Sequence, residues 1–177
     1  GSTDATAEIA EAVGATVLTG PASRGGQLRR ACAIVHGDWI MVLHADTRLD
    51  PGWALAVSDH VRSGRTDSGY FRLAFRATGI APALVAGWAN LRARLFRLPY
   101  GDQGLLLARR LHDAAGGIAS LPLMEDLEFV QRLRRQARIG LLAPALRVNG
   151  RRWQRLGVWQ TVLANARLRR AWRRGTP

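Results

Sequence analysis

The chain has no lysine: all 26 of its basic residues are arginine, set against 13 Asp and Glu, for a formal charge of +13 at pH 7. Arginine presents a planar fork of donors that matches phosphate oxygens, so the excess points to anionic partners: nucleotides, lipid headgroups or nucleic acid. A biased genome composition produces the same enrichment without any function. Cysteine is almost absent. A lone Cys32 excludes an internal disulfide and a Cys-based metal cluster, suits a reducing compartment, and reads as a small core residue. No apolar run reaches the ~18 residues needed to cross a bilayer, and the N-terminus has neither a basic n-region nor an apolar h-region. The expected location is therefore cytoplasmic, with any membrane contact peripheral at the inner face. An initiating Met is missing too, so the expectation is either a processed or engineered product or a longer protein whose upstream part is missing here. Neither an internal repeat nor a low-complexity linker is found. What is present, 177 residues that are 47% hydrophobic and 22% charged, suits one domain over 1–177 with a substantial core.

The most informative stretch is Trp39 to Gly52, WIMVLHADTRLDPG. Ile40 to Leu43 form a short continuous apolar run of the kind buried in a sheet, and polar chemistry starts where the run stops, at His44-Ala45-Asp46-Thr47. Ligands of open α/β sheets collect at the carboxyl ends of strands, so His44 and Asp46 can face one metal and diphosphate site.

Around this strand the pattern alternates. A helix over Ala5–Val13, capped by Ser2, Thr3 or Asp4, precedes a short strand over Ala15–Thr19. A second helix runs from Ser23 to about His36, and its glycine-bearing start with Arg24 is a place where free N–H groups can hold a phosphate. Another helix over Gly52–Val61 and a strand over Ser68–Arg76, with Phe71, Leu73 and Phe75 on one side, continue the alternation. Ile80–Phe96 reads as a core or interfacial helix and Leu105–Ala108 as a strand. A helix then begins in Pro122–Glu128, a further extended segment covers Gly140–Val148, and a basic amphipathic helix spans about 156–174. This order predicts a wound α/β layer with a largely parallel sheet.

Two more polar clusters stand out. Asp102 and Gln103 lie in a turn-rich loop where binding groups often sit, although Asp is also a common turn former. Glu125 and Asp126 open a helix, where the dipole favours acids, and equally supply a carboxylate for general-base chemistry. The Arg- and Trp-bearing C-terminal helix either docks on the domain or lies on an anionic membrane surface.

Four stretches, Gly1-Ser2-Thr3-Asp4, Leu43-His44-Ala45-Asp46-Thr47, Met124-Glu125-Asp126, and Arg152-Trp153 with Gly157-Val158-Trp159, occur in one order. Together they resemble the family 2 glycosyltransferases of the GT-A fold over nearly the whole chain. Gly101-Asp102-Gln103 and Pro122-Leu123-Met124-Glu125-Asp126 are similar to the bacterial arsenosugar-biosynthesis or radical-SAM/selenodomain-associated subgroup. The resemblance implies a GT-A, Rossmann-like, mixed and mostly parallel sheet flanked by helices, lacking the usual first strand-helix-strand, so that this is a C-terminal portion with an incomplete nucleotide pocket and an exposed sheet position. It further implies an inverting transfer of a sugar from a nucleotide-diphosphate donor to a hydroxyl of a small-molecule or lipid-linked acceptor, assisted by Mn²⁺ or Mg²⁺.

Residue by residue, Asp46 matches the last acid of the family's Asp-x-Asp motif and is the main metal ligand. His44 replaces the first acid, and it either ligates the metal or hydrogen-bonds the nucleotide. Asp126 is the base, with Glu125 second. Asp4, Arg24 and Arg152 fall to the nucleotide and diphosphate; Asp102, Gln103 and Trp153 fall to donor sugar or acceptor. Asn149 stands where some relatives carry Gln. The competing class is a basic non-catalytic module for anionic lipid or nucleic acid, and no nucleic-acid motif accompanies the charge.

Overall fold

The structure, a computed structural model, describes residues 2–149 and 158–174. Its helices are α1 (Thr6–Ala12), α2 (Arg24–Ile34), α3 (Trp53–Ser63), α4 (Ile80–Phe96), α5 (Arg109–Ala114), α6 (Glu125–Gln136) and α7 (Val158–Arg173). Its strands are β1 (Trp39–Val42), β2 (Arg48–Leu49), β3 (Ser68–Phe75), β4 (Leu105–Ala108) and β5 (Ile139–Val148). They form one five-stranded sheet in the order β1-β4-β3-β5-β2. β1, β3 and β5 point one way, with β4 and β2 against them, so β3–β5 is the parallel pairing and the others are antiparallel. The expected mixed sheet is present, but its pairing is less parallel than expected: β4, inserted between β1 and β3, makes both of its own pairings antiparallel, and among the described strands β3–β5 is the parallel one.

Alternation along the strands assigns each side chain to one of two core layers. Leu105 and Leu107 of β4 face the layer that holds Cys32, Tyr70, Phe129, Val130 and Leu133. Leu106 faces the opposite layer with Phe71, Leu73, Phe75, Ala86, Ala89 and Leu146. Arg72 of β3 and Arg76 just beyond it are exposed, as the sequence alternation predicts. The β3–β5 ladder shifts register between Phe71 and Arg72, opposite the stretch Leu142–Ala145. Pro144 lies there, and a bulge accommodates a residue that has no N–H to give the ladder.

The expected strand over Ala15–Thr19 does not form. Residues 15–19 are in no regular element and nearly all are exposed, because a short β-prone run without a neighbouring strand has nothing to complete its hydrogen bonds.

The link from β1 to β2 constrains the whole sheet. β1 and β2 are its two edges, yet residues 43–47 alone connect them. Four strand spacings of ~4.8 Å would separate the edges of a flat sheet by about 19 Å. The link contains a turn, closed by Thr47 N–H and Thr47 Oγ1 donating to His44 O at 3.1 and 2.6 Å. With that turn its reach falls to roughly 18 Å or less. The sheet therefore curls, and His44 and Asp46 ride across its mouth.

Candidate functional site

Topology brings the first two motifs together. Val42, the last residue of β1, is paired with Leu105, the first of β4. The segment entering β4, Tyr100–Gly104, therefore meets the segment leaving β1. A Cβ placed on Gly101 would lie 2.6 Å from His44 Nε2 and 3.0 Å from Asp126 Oδ2, so glycine there leaves these two side chains the room they occupy. Gly101 N–H donates to Asp126 Oδ2 at 2.7 Å, and Leu127 N–H donates to Asp126 Oδ1 at 2.8 Å.

Asp126 and Glu125 are aimed by the start of α6. The residue before them, Met124, is left-handed at φ 62°, a conformation a non-glycine residue holds only where its surroundings impose it. Amphipathic spacing then buries Leu127, Val130 and Leu133 as the sequence predicts. Arg132 fixes the far face, pairing with Glu128 at 2.5 Å and donating to Ala115 O and Gly117 O. Glu125 is 1% exposed; its Oε1 meets Arg24 Nε at 3.0 Å and its Oε2 is buried without a partner. Burial foremost, then the nearby Asp126 charge, push the Glu125 carboxyl above its ordinary value, against the pull of its backbone hydrogen bond and of Arg24.

Arg24 bridges the halves of the site. Besides Glu125 it reaches His44 Nε2 through Nη2 at 3.0 Å. A guanidinium can only donate, so Nε2 accepts and the proton sits on Nδ1. Burial first and Arg24 second hold the His44 pKa below its ordinary value, while Asp126 and Asp46 pull it up. The imidazole is neutral near pH 7.

The start of α2 departs from expectation. Gly25 N–H donates to Leu121 O at 3.0 Å, and Gly26 N–H donates to the Ser23 cap at 3.1 Å. Those two N–H groups are satisfied within the protein, so the Arg24 side chain is what this end offers to a phosphate. The glycines serve close packing: a Cβ on Gly25 would be 2.2 Å from Ala119 O.

Asp46 is exposed, and its carboxylate makes no hydrogen bond or ion pair among the described residues. No group of three or more His, Cys, Asp or Glu among those residues forms a ready metal cage. A hard divalent ion that keeps several waters needs only one or two carboxylates plus substrate phosphates, so Asp46 fits that donor role. His44 does not in this geometry, because its Nε2 lone pair is held by Arg24.

Three further sequence candidates fall differently. Gln103 is fully buried, with Oε1 accepting from Arg92 at 3.4 Å and Nε2 donating to Asn90 Oδ1 at 3.3 Å. It supports the loop from beneath and touches no ligand space, which corrects its assignment to donor or acceptor binding. Asp4 is exposed, and its Oδ1 accepts from Thr6 N–H at 3.2 Å and from Thr6 Oγ1 just ahead of α1; Ala5, with no side-chain cap bond, is the N-cap, and among the described residues no contact carries Asp4 to the cluster. Arg152 and Trp153 lie outside the described residues.

Asp102 stays beside the cluster. Burial foremost pushes its carboxyl from 3.8 up to about 6, with Asp126 adding and Arg92 opposing. Its Oδ1 is buried without a partner. Folded Asp102 binds a proton more tightly than unfolded Asp102, so its favourable contribution is complete below about pH 4 and is lost as pH rises through about 6. In Asp102→Asn, the melting temperature should fall less between pH 4 and pH 7 than it does in the wild type. An unchanged difference would show that Asp102 is not buried as a neutral acid.

The residues missed by sequence reading are Tyr100, Arg92 and Gly101. Arg92 stacks over the Tyr100 ring at 3.5 Å and donates to Leu98 O at 3.2 Å, so it pins the loop that carries Gly101 and Asp102. The sequence signal that could have found Arg92 is the Tyr-Gly turn eight residues downstream.

Comparison with known proteins gives this geometry a setting. Residues 1–81 match the family model of glycosyl transferase family 2. Solved structures extend the likeness beyond that segment. Staphylococcus aureus TarS residues 1–349 superpose with a TM-score of 0.64 at 15% identity, covering 84% of this chain and 49% of that one. The fold is a GT-A glycosyltransferase fold. Glucosyl-3-phosphoglycerate synthase of Mycobacterium tuberculosis, solved with phosphoglyceric acid, shares this GT-A fold at a TM-score of 0.55 and 20% identity over 82% of this chain and 56% of that one. Mannosyl-3-phosphoglycerate synthase of Rubrobacter xylanophilus does so at 0.55 and 17% identity over 99% of this chain and 62% of that one. The chain thus spans about half to three-fifths of the structures it matches. No curated protein matches its sequence.

Proposed function

We propose that this chain carries the catalytic centre of an inverting glycosyltransferase that moves a sugar from a nucleotide-diphosphate donor to a hydroxyl acceptor. The observation that carries the reading is the convergence of Asp126, Gly101, His44 and Arg24 at the carboxyl end of β1, in a chain whose first 81 residues match family 2. A TarS structure with the same fold was solved in complex with UDP-GlcNAc, which supports a nucleotide-sugar donor.

Asp126 takes the acceptor proton as the hydroxyl oxygen attacks the anomeric carbon from the face opposite the leaving diphosphate. Its neighbour Glu125 is too deeply buried to reach an acceptor, and its ion pair instead holds Arg24. Arg24, half-exposed between Glu125 and His44, turns its free donors to the diphosphate. A divalent cation on Asp46 and the diphosphate would neutralise charge that builds on the leaving group. An arsenosugar-type acceptor has the motif likeness at Gly101–Gln103 and Pro122–Asp126 as its sole support.

The test is nucleoside diphosphate release by purified protein carrying this chain, across a panel of nucleotide sugars, with Mn²⁺ or Mg²⁺ and with chelator. Release should require the cation and should drop by about a hundredfold or more in Asp46→Ala. Release untouched by chelator would remove the metal from the reading; no release from any donor, with folding intact, would remove the reading itself.

A further inference from the structure

Helix α4 carries an apolar face that the fold leaves open. Its inner side is small and packed: Ala86, Ala89 and Ala93 are buried, and Asn90 clamps β3 by accepting from Leu73 N–H at 2.8 Å and donating to Leu73 O at 3.0 Å. Its outer side presents Ile80, Leu84, Trp88, Leu91 and Leu95, at 82%, 68%, 63%, 46% and 64% exposure. Successive spacings of four, four, three and four residues put all five on one helical stripe. A contiguous apolar stripe of this size marks an interaction surface.

Charge identifies the partner. From Ser68 to Gly101 the sequence has no Asp or Glu, and it has Arg72, Arg76, Arg92, Arg94 and Arg97. Arg72, Arg76, Arg94 and Arg97 are exposed, and Arg72 lines the groove beside α4 with Ala83 and Gly87. A second copy would bring two such acid-free, arginine-flanked faces together in a protein already at +13, which is repulsive. An anionic surface that is apolar just beneath its charges meets both requirements. No described helix is long and apolar enough to cross a membrane, so contact is interfacial.

We propose that the outer face of α4 docks on an anionic lipid bilayer, with Leu84, Trp88 and Leu91 entering the acyl boundary and the flanking arginines pairing with lipid phosphates. α4 leads directly into the loop holding Asp102, so docking would set the candidate site at the membrane surface.

Co-flotation with vesicles of phosphatidylcholine mixed with phosphatidylglycerol tests this. The protein should bind these vesicles and not phosphatidylcholine alone, and Leu84→Ser with Leu91→Ser should weaken binding about tenfold or more. Both positions are solvent-facing, so melting temperature should hold. Arg72→Glu with Arg94→Glu, which leaves the apolar stripe intact, should also weaken binding and flatten its salt dependence. Unchanged binding in both variants, or equal binding to neutral vesicles, would overturn the proposal. So would a dimer in solution that the leucine variant converts to monomer without any vesicle binding, since the stripe would then belong to a second copy.

Discussion

Asp126→Asn should lower sugar transfer by about 10²–10⁴-fold, the range a positioned general base contributes. The substitution keeps the size of the side chain but removes the proton acceptor. It also creates a local conflict, because the two oxygens of Asp126 accept from Gly101 and Leu127 N–H groups and an amide can accept from only one. A frustrated donor costs about 1–3 kcal/mol, so stability must be measured beside turnover. The base assignment predicts a collapse of kcat at nearly unchanged donor affinity, with a melting temperature that still shows a folded protein. Turnover within tenfold of wild type would transfer the role to another group. Glu125→Gln separates the neighbouring carboxylate: it weakens the hold on Arg24, so its loss should appear mainly in donor binding.

The second large effect is purely steric. Gly25→Ala places a methyl 2.2 Å from Ala119 O, 2.6 Å from Leu121 N and 2.7 Å from Leu121 O. All three are backbone atoms, so no side chain can swing aside, and α2 must separate from the 118–121 segment or shift along it. Overpacking of this kind costs about 3 kcal/mol. For a chain of this size that is a fall of roughly 6–12 °C in melting temperature. Arg24 rides on the same turn, so the Arg24 bridge to Glu125 and His44 should loosen as well. Gly14→Ala is the control for a lost glycine: its added Cβ meets nothing within 4 Å, although φ is +83°, so only backbone strain of about 1 kcal/mol applies. Equal melting temperatures for the two variants would refute the close approach at Gly25.

Much of the architecture was legible because periodicity encodes burial. The alternation at Phe71, Leu73 and Phe75 and the spacing of Leu127, Val130 and Leu133 each report one buried face, and the run Ile40–Val42 reports a strand that packs on both layers, with Ile40 buried and Met41 and Val42 half-buried. Strand order was not legible, since nothing local says that β4 slots between β1 and β3. That insertion is what delivers Gly101 to His44. At the site, sequence marked Asp46, Glu125, Asp126 and Arg24 as polar groups beside element ends, and the last three do converge. It misjudged Gln103, because burial in a satisfied network with Asn90 and Arg92 depends on contacts between distant segments. It read Gly25 and Gly26 as a phosphate cradle because the two uses of glycine, exposing N–H groups and admitting a neighbouring backbone, look alike until that neighbour is located. Ala15–Thr19 failed for the complementary reason: β propensity without a partner strand gives no strand.

Surface loops usually tolerate added residues at little cost. The link between β1 and β2 has no such freedom, because its length sets how tightly the sheet closes. A residue inserted beside Ala45 would remove no core side chain and no strand from the ladders. It would still relax the curl, moving Asp46 away from Asp126 and rotating His44 off Arg24. The five residues 43–47 act as a gauge for the mouth of the site, and a homologue with a longer link would hold a wider one.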